Sequence, residues 1–197
     1  SKTAVLVHKA RKSRSKELSE KIEKAMSELN MPSSQFEIIF EQEESKDGFV
    51  DHDKRLFNAN PQGIDNIEFY LSANKGQPPK PLASIASGGE ISRIMLAIKT
   101  VFQNKDPVKT LVFDEIDSGI SGHTAEKVAE HLSKLSKSKQ IICITHLSQI
   151  AIKADNHIHI VKYVKDSDTY VEVKYLNKIE SSRVIQDLFV GVDLVNA

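Results

Sequence analysis

A stretch that opens on Ser87-Gly88-Gly89-Glu90, and a short apolar run that leads into Asp114-Glu115, constrain this chain more than any other feature. Ile91, Ile94, Met95, Ile98, Val101 and Phe102 recur at spacings of three and four, which predicts a helix with these residues on one face. Ser87 then falls at or near its N-cap, where a hydroxyl accepts from a helix amide. The backbone donors of such a helix start suit a phosphate. Pro107 closes the connection to Thr110–Phe113, a strand with no polar alternation. That pattern predicts a parallel strand covered on both faces. A pair of carboxylates at its end suits a metal and a water.

The chain after the acids repeats the strand-helix alternation. Gly119 and Gly122 break it, a helix spans about 123–135, and Ile141–Ile144 is a second apolar strand that runs into Thr145-His146. A short helix covers about 147–153. Residues 157–165 and 170–177 form a hairpin around Asp166-Ser167-Asp168, and Glu180–Phe189 is a last helix stopped near Gly191. Strand, helix, strand is the logic of a parallel crossover, so part of the sheet is parallel. Ligands gather at the carboxyl ends of such strands, which brings Asp114, Glu115 and His146 to one edge.

Upstream, residues 1 to about 30 read as helix. Val5, Leu6 and Ala10 begin an apolar stripe that Leu18, Ile22, Ala25, Met26 and Leu29 continue. Ser13, Arg14 and Ser15 interrupt it, which leaves a coiled-coil end and an ordinary amphipathic helix both open. The basic cluster Lys9, Arg11, Lys12, Arg14 and Lys16 is either a solvated face or a face turned to DNA, with the solvated face favoured. Asn30-Met31-Pro32 ends the helix, because the residue before proline is pushed out of the helical region. Phe36–Gln42 alternates as a half-buried strand, and Ile67–Leu71 reads as the next one. Residues 74–81, with Gly76 and three prolines, are irregular.

Charge and composition exclude some functions. Lys+Arg and Asp+Glu both number 27, so bulk charge makes no case for nucleic-acid binding. No apolar run approaches the ~20 residues of a membrane helix, and the start carries no signal peptide. The single cysteine, Cys143, fits a buried thiol in a reducing compartment. No ligand spacing suggests zinc. None of the 8 glycines begins a Gly-x-x-x-x-Gly-Lys-Ser/Thr phosphate loop. The chain thus carries half of a nucleotide site. Asp114 can hold a Mg²⁺ largely through waters, and Glu115 can orient or deprotonate a water that attacks a γ-phosphate. His146 can donate to the same phosphate.

The order of Ser-Gly-Gly-Glu helix, apolar strand and Asp-Glu resembles the signature motif and Walker B of ABC-type ATPases. Leu71-Ser72-Ala73-Asn74, Gly76–Leu82, Ala86–Arg93, Phe113–Gly122 and Thr145–Ala151 extend the resemblance over about residues 15 to 191. The pattern is similar to ABC ATPases whose head is interrupted by a coiled coil, the SMC kind and its DNA-repair relatives. The resemblance implies an α/β fold. This would be the C-terminal lobe of an ABC-type (P-loop NTPase) head, a largely parallel sheet flanked by helices, with an N-terminal helix from the coiled-coil return. Residues 1–31 would be the end of that coil and 32–197 the lobe, with the Walker A in an N-terminal lobe. By the same resemblance Asp114 is the metal acid, Glu115 the catalytic glutamate and His146 the switch histidine. Ser87, Gly88, Gly89 and Glu90 would contact the γ-phosphate of ATP held by the opposing subunit. Ser118 and Gly119 would belong to a D-loop, Ser118–Gly122, that crosses the dimer interface. Ser121 stands where transporters carry Asp, and Leu188-Phe189-Val190-Gly191 matches the relatives' Met-Leu-x-Gly only loosely.

The implied cofactors are ATP and Mg²⁺. The implied partners are the N-terminal Walker A lobe, a second copy through the heads, and DNA, with no membrane. The implied setting is the bacterial cytoplasm and nucleoid, and the implied role is double-strand-break repair and recombination. The lobe would hydrolyse ATP only with its Walker A partner and on head dimerisation. Another SMC-like head, a non-catalytic interaction lobe and a transporter ATPase are the alternatives. The long helical start disfavours the last.

Overall fold

The computed structural model describes residues 2–74, 76–85 and 88–190. The chain divides into two compact units, with the boundary between residues 87 and 88.

In the first unit, helix α1 (Lys2–Glu28) precedes strands β1 (Gln35–Gln42), β2 (Val50–His52), β3 (Arg55–Phe57), β4 (Asp65–Ser72) and β5 (Lys80–Pro81). The apolar stripe of α1 buries Ile22, Ala25 and Met26, and Leu29 and Phe36 are buried as well. The stop is more specific than a proline effect. Asn30 takes the left-handed conformation at φ 66°, and the Met31 amide reaches back to the Met26 carbonyl at 3.1 Å. This is the glycine-type helix ending with asparagine in the glycine's place. Glu23 then ties the helix to the sheet by accepting from the Phe36 amide at 2.8 Å.

β1 and β4 pair antiparallel, Phe36 opposite Leu71 and Phe40 opposite Ile67, and β5 adds to the far side of β4. β2 and β3 form a separate hairpin that the sequence reading missed. Its turn is Asp53-Lys54, both at positive φ, and lacks the Gly that usually announces such a turn. Val50 and Phe57 from this hairpin pack with Ile64 against Ala4 and Val5 of α1.

The other end of α1 is fastened by charge. The Asp65 carboxylate is fully buried and accepts from Arg11 Nη1 at 3.2 Å and Gln42 Nε2 at 3.1 Å, with His8 Nδ1 2.6 Å away. Burial alone would raise its pKa. The hydrogen bonds from Gln42, His8 and Arg11 outweigh that cost and hold the carboxyl below its ordinary range.

The second unit holds helix α2 (Gly88–Val101), strand β6 (Thr110–Phe113), helix α3 (Gly122–Ser136), strand β7 (Gln140–Cys143), the short helix α4 (Ser148–Ala151), strands β8 (Ile158–Lys165) and β9 (Asp168–Tyr175), and helix α5 (Lys178–Val190). β6 and β7 pair in parallel across α3, from Thr110 opposite Gln140 to Phe113 opposite Cys143. The expected crossover is therefore present. It is the one parallel pairing among the described residues; the separate β1–β4–β5, β2–β3 and β8–β9 sheets are antiparallel. The reason is local: β8 and β9 are joined by the two-residue turn Asp166-Ser167, both at positive φ, and so short a turn can only return the chain antiparallel.

Coverage also differs from the reading of β6 as buried on both faces. Leu111 and Phe113 are buried, while Val112 is 63% exposed, and Ile142 and Ile144 beside it are exposed as well. A run of β-branched residues identifies a strand meant for two covered faces but not whether this chain supplies both covers. α2 carries the same message. Gly89, Arg93, Ile94, Leu96, Ala97 and Ile98 are its buried residues, whereas Ile91 and Met95 of the expected face are only partly covered and line a groove with Val112. The helix is apolar over most of its circumference, so the period alone does not select the covered side. α5 starts on a reciprocal cap. Asn177 Oδ1 accepts from the Ile179 and Glu180 amides, and Glu180 Oε2 accepts from the Asn177 amide at 2.9 Å. Its expected stop at Gly191 lies outside the described residues.

Candidate functional site

The parallel register of β6 and β7 sets the site. Phe113 and Cys143 are paired, and the Ile144 amide donates to the Phe113 carbonyl at 2.9 Å, so the segments leaving both strands begin side by side. Asp114 leaves β6 exposed, with its Oδ1 accepting from the Glu115 amide at 2.9 Å. Ser92 of α2 donates to the Asp114 carbonyl at 2.8 Å and fixes the strand end against the helix. Glu115 sits at φ +55°, in the left-handed region that costs a non-glycine residue about 1–2 kcal/mol. This turns the Glu115 side chain toward the start of α2.

The start of α2 is shaped around that side chain. A Cβ at Gly88 would collide with Glu115 Oε2. At Gly89 it would meet Ser118 Cβ at 2.8 Å and the Glu115 and Ser118 carbonyls at 3.1 Å. The two signature glycines, the second acid and Ser118 are thus in one cluster. Glu90 lies in the first turn of the same helix. Gly119, at φ +72°, stands clear with nothing near its missing side chain. Ser87 lies outside the described residues. His146 comes to the same edge but is not hydrogen-bonded to Asp114 or Glu115 among the described residues. Its backbone amide donates to Asp117 Oδ2 at 2.9 Å, and its exposed ring lies beside the same oxygen, with Nδ1 3.1 Å away.

Three residues of this cluster had no role in the sequence reading. Ser92 is one. Arg93 is a second: it is buried and donates from Nη1 to the Ser118 carbonyl at 2.8 Å and the Ile116 carbonyl at 3.4 Å. Burial lowers its pKa, with Glu90 opposing, and its Nε has no hydrogen-bond partner among the described residues. Asp117 is the third, buried behind the exposed Asp114 and Glu115. An arginine interrupting an apolar helix face was the signal for Arg93. Asp117 was masked by the two acids before it. Cys143 is half-buried at the end of β7 and not sealed in the core as expected. Burial, helped by the charges of Asp117 and Asp114, pushes its thiol up to about 12, so it stays neutral.

The arrangement fits a divalent cation held lightly. Asp114 offers one carboxylate with one oxygen engaged by its own turn, and no group of three or more His, Cys, Asp or Glu among the described residues forms a cage. Mg²⁺ commonly takes one or two carboxylates and fills the rest with phosphate and water.

No protein-family model matches the chain. Among curated proteins it is 38% identical to DNA repair protein RecN of Bacillus subtilis (strain 168), over 98% of this chain and 34% of that protein. It is 42% identical to DNA repair protein RecN of Halalkalibacterium halodurans, over 93% of this chain and 31% of that protein. The chain thus spans about a third of the length of the curated relatives it matches. Among solved structures it superimposes on the Smc head domain with a coiled coil and joint derived from Pyrococcus yayanosii, with a TM-score of 0.55 at 20% identity. That match covers 86% of this chain and 28% of the other. The chain is thus similar in sequence to these RecN proteins, and its fold is like that of part of the Smc head domain. No described helix is long and apolar enough to cross a membrane.

Proposed function

We propose that this RecN-like chain is the C-terminal lobe of an ATPase head from a bacterial protein of DNA double-strand-break repair and recombination. Residues 1–31 are the end of a returning coiled coil, and 32–197 are the lobe. A separate N-terminal lobe supplies the phosphate-binding loop, and two heads close face to face on ATP. The protein works in the cytoplasm, at the nucleoid. The observation that carries this reading is the close packing of Gly88 and Gly89 on Glu115 and Ser118 at the end of β6. A helix start kept free of side chains beside a carboxylate is a surface for an anion and a water.

In this reading the helix start, Ser87 through Glu90, receives the γ-phosphate of the opposing subunit's nucleotide. Asp114 holds Mg²⁺, which neutralises charge on the phosphates when bound. Glu115 orients the attacking water and takes its proton. His146 faces the same phosphate, and Ser118 and Gly119 line the dimer interface.

The decisive experiment uses the full-length protein. Glu115→Gln keeps size and polarity but cannot take a proton. ATP binding persists, turnover falls by ~10²–10⁴-fold, and ATP traps closed head dimers in light scattering. Unchanged turnover would remove Glu115 from the chemistry and with it this reading of the site.

A further inference from the structure

Arg93 is 8% exposed, set among the apolar residues of α2. Burying a guanidinium costs far more than burying a methionine of similar reach, unless its donors and its charge are answered. Here they are answered in part. Nε has no hydrogen-bond partner among the described residues, and Glu90 meets the charge only across space. Arg93 is therefore a poor packing residue. What it does that an apolar side chain cannot is donate from Nη1 to the Ser118 carbonyl at 2.8 Å and to the Ile116 carbonyl at 3.4 Å.

Those carbonyls belong to the turn that follows Glu115. The Ser118 amide closes it on the Glu115 carbonyl at 3.0 Å, and the Ile120 amide reaches the Asp117 carbonyl at 3.3 Å. Glu115 opens the turn at φ +55°. A non-glycine residue keeps so costly a conformation only where its surroundings over-determine it. Two successive residues of α2 do so. Ser92 Oγ holds the Asp114 carbonyl at 2.8 Å, on the peptide before Glu115, and Arg93 holds two carbonyls after it. The Glu115 carboxylate then lies against Gly88, with Oε2 where a Cβ at that position would stand.

We propose that Arg93 is a positioning residue: by tying the Ile116 and Ser118 carbonyls to α2, it holds Glu115 in the left-handed conformation that lays its carboxylate at the start of that helix. That the carboxylate there serves an attacking water rests on the function proposed above; the tie on the turn does not.

Hydrogen exchange on the 197-residue chain tests the tie. In Arg93→Met the Ser118 amide is expected to exchange about ten- to a hundredfold faster, for the loss of hydrogen bonds from a charged donor, while the Val128 and Leu132 amides of α3 keep their rates. Unchanged Ser118 exchange in the folded variant overturns the inference. Should Arg93→Met fail to fold, Arg93→Lys is measured instead. Its ammonium, on a more flexible stem, holds the carbonyls less firmly, so Ser118 exchange rises by about threefold or more, and an unchanged rate again overturns the inference. In the full-length protein, Arg93→Met is expected to lower kcat by about ten- to a hundredfold with little change in KM, and to add no further loss to Glu115→Gln, since both act through one carboxylate. Multiplicative losses would mean that Arg93 acts by another route and would overturn the inference. A loosened turn with normal turnover overturns it too, where Glu115→Gln is slow. Where Glu115→Gln also turns over normally, the tie on the turn stands, and the ATPase reading of the site is what fails.

Discussion

Gly88 and Gly89 look equivalent in sequence, yet their surroundings assign them different failures. The atom in the way at Gly88 is the tip of a side chain, Glu115 Oε2, which can swing aside. Gly88→Ala is therefore expected to keep its melting temperature while the full-length protein loses ATP turnover. At Gly89 the obstacles are Ser118 Cβ and two carbonyls, which are backbone or bound to it. Gly89→Ala is expected to lower stability by about 1–3 kcal/mol, read as a shift in urea midpoint. Equal melting temperatures for the two variants would contradict this contrast. The sequence pointed to both glycines, to both exposed acids and to His146. It could not point to Asp117 or to the grip of Arg93. Those depend on which turn carbonyls face an arginine and which carboxylate is under the loop, and spacing along the chain does not encode either.

The docking of α1 has an acid-sensitive fastening at one end and an apolar one at the other. Asp65 has a folded pKa below its unfolded value near 3.8, so its contribution is fully present above that value and is lost as pH falls through the folded pKa. Between about pH 4 and pH 2 the wild type is expected to lose more stability than Asp65→Asn, which has no such group to protonate. At neutral pH Asp65→Asn is expected to cost about 1–3 kcal/mol. The figure is below that of a wholly buried ion pair, because Arg11 is 31% exposed and keeps some water. Hydrogen exchange along α1 would localise the loss to its first half; a uniform loss would count against the fastening. Most elements were legible within a residue or two, since helices and strands of this length carry clear periods. The β2–β3 hairpin was not, because each strand has three residues and its turn has no glycine. The largely parallel sheet came from the family resemblance and not from the chain's own turns: among the described residues only β6 and β7 pair in parallel, and the β8–β9 hairpin was legible from its turn.

At the scale of the molecule, the apolar surface left open is concentrated in the second unit. Val112 of β6, Ile142 of β7 and Ile144 just after it are exposed, and Ile158, Ile160, Val171, Val173 and Tyr175 share one uncovered face of the β8–β9 hairpin. Monomeric proteins rarely leave such surfaces open. The chain by itself is expected to self-associate in sedimentation, and to bind Mg-ATP no tighter than millimolar in calorimetry, having no phosphate loop to enclose the nucleotide. Adding the N-terminal lobe is expected to suppress association and restore Mg²⁺-dependent turnover; a monodisperse chain that binds ATP at micromolar concentration would contradict both. The glycines at the start of α2 carry a genetic consequence. Every single-base change in a glycine codon gives glycine again, a stop, or a residue with a Cβ. Each missense step at codon 88 therefore places a Cβ where the Glu115 carboxylate lies. Such alleles are expected to be well expressed, and in a cell that also carries the normal gene they would enter mixed head pairs and impair the sound copy as well.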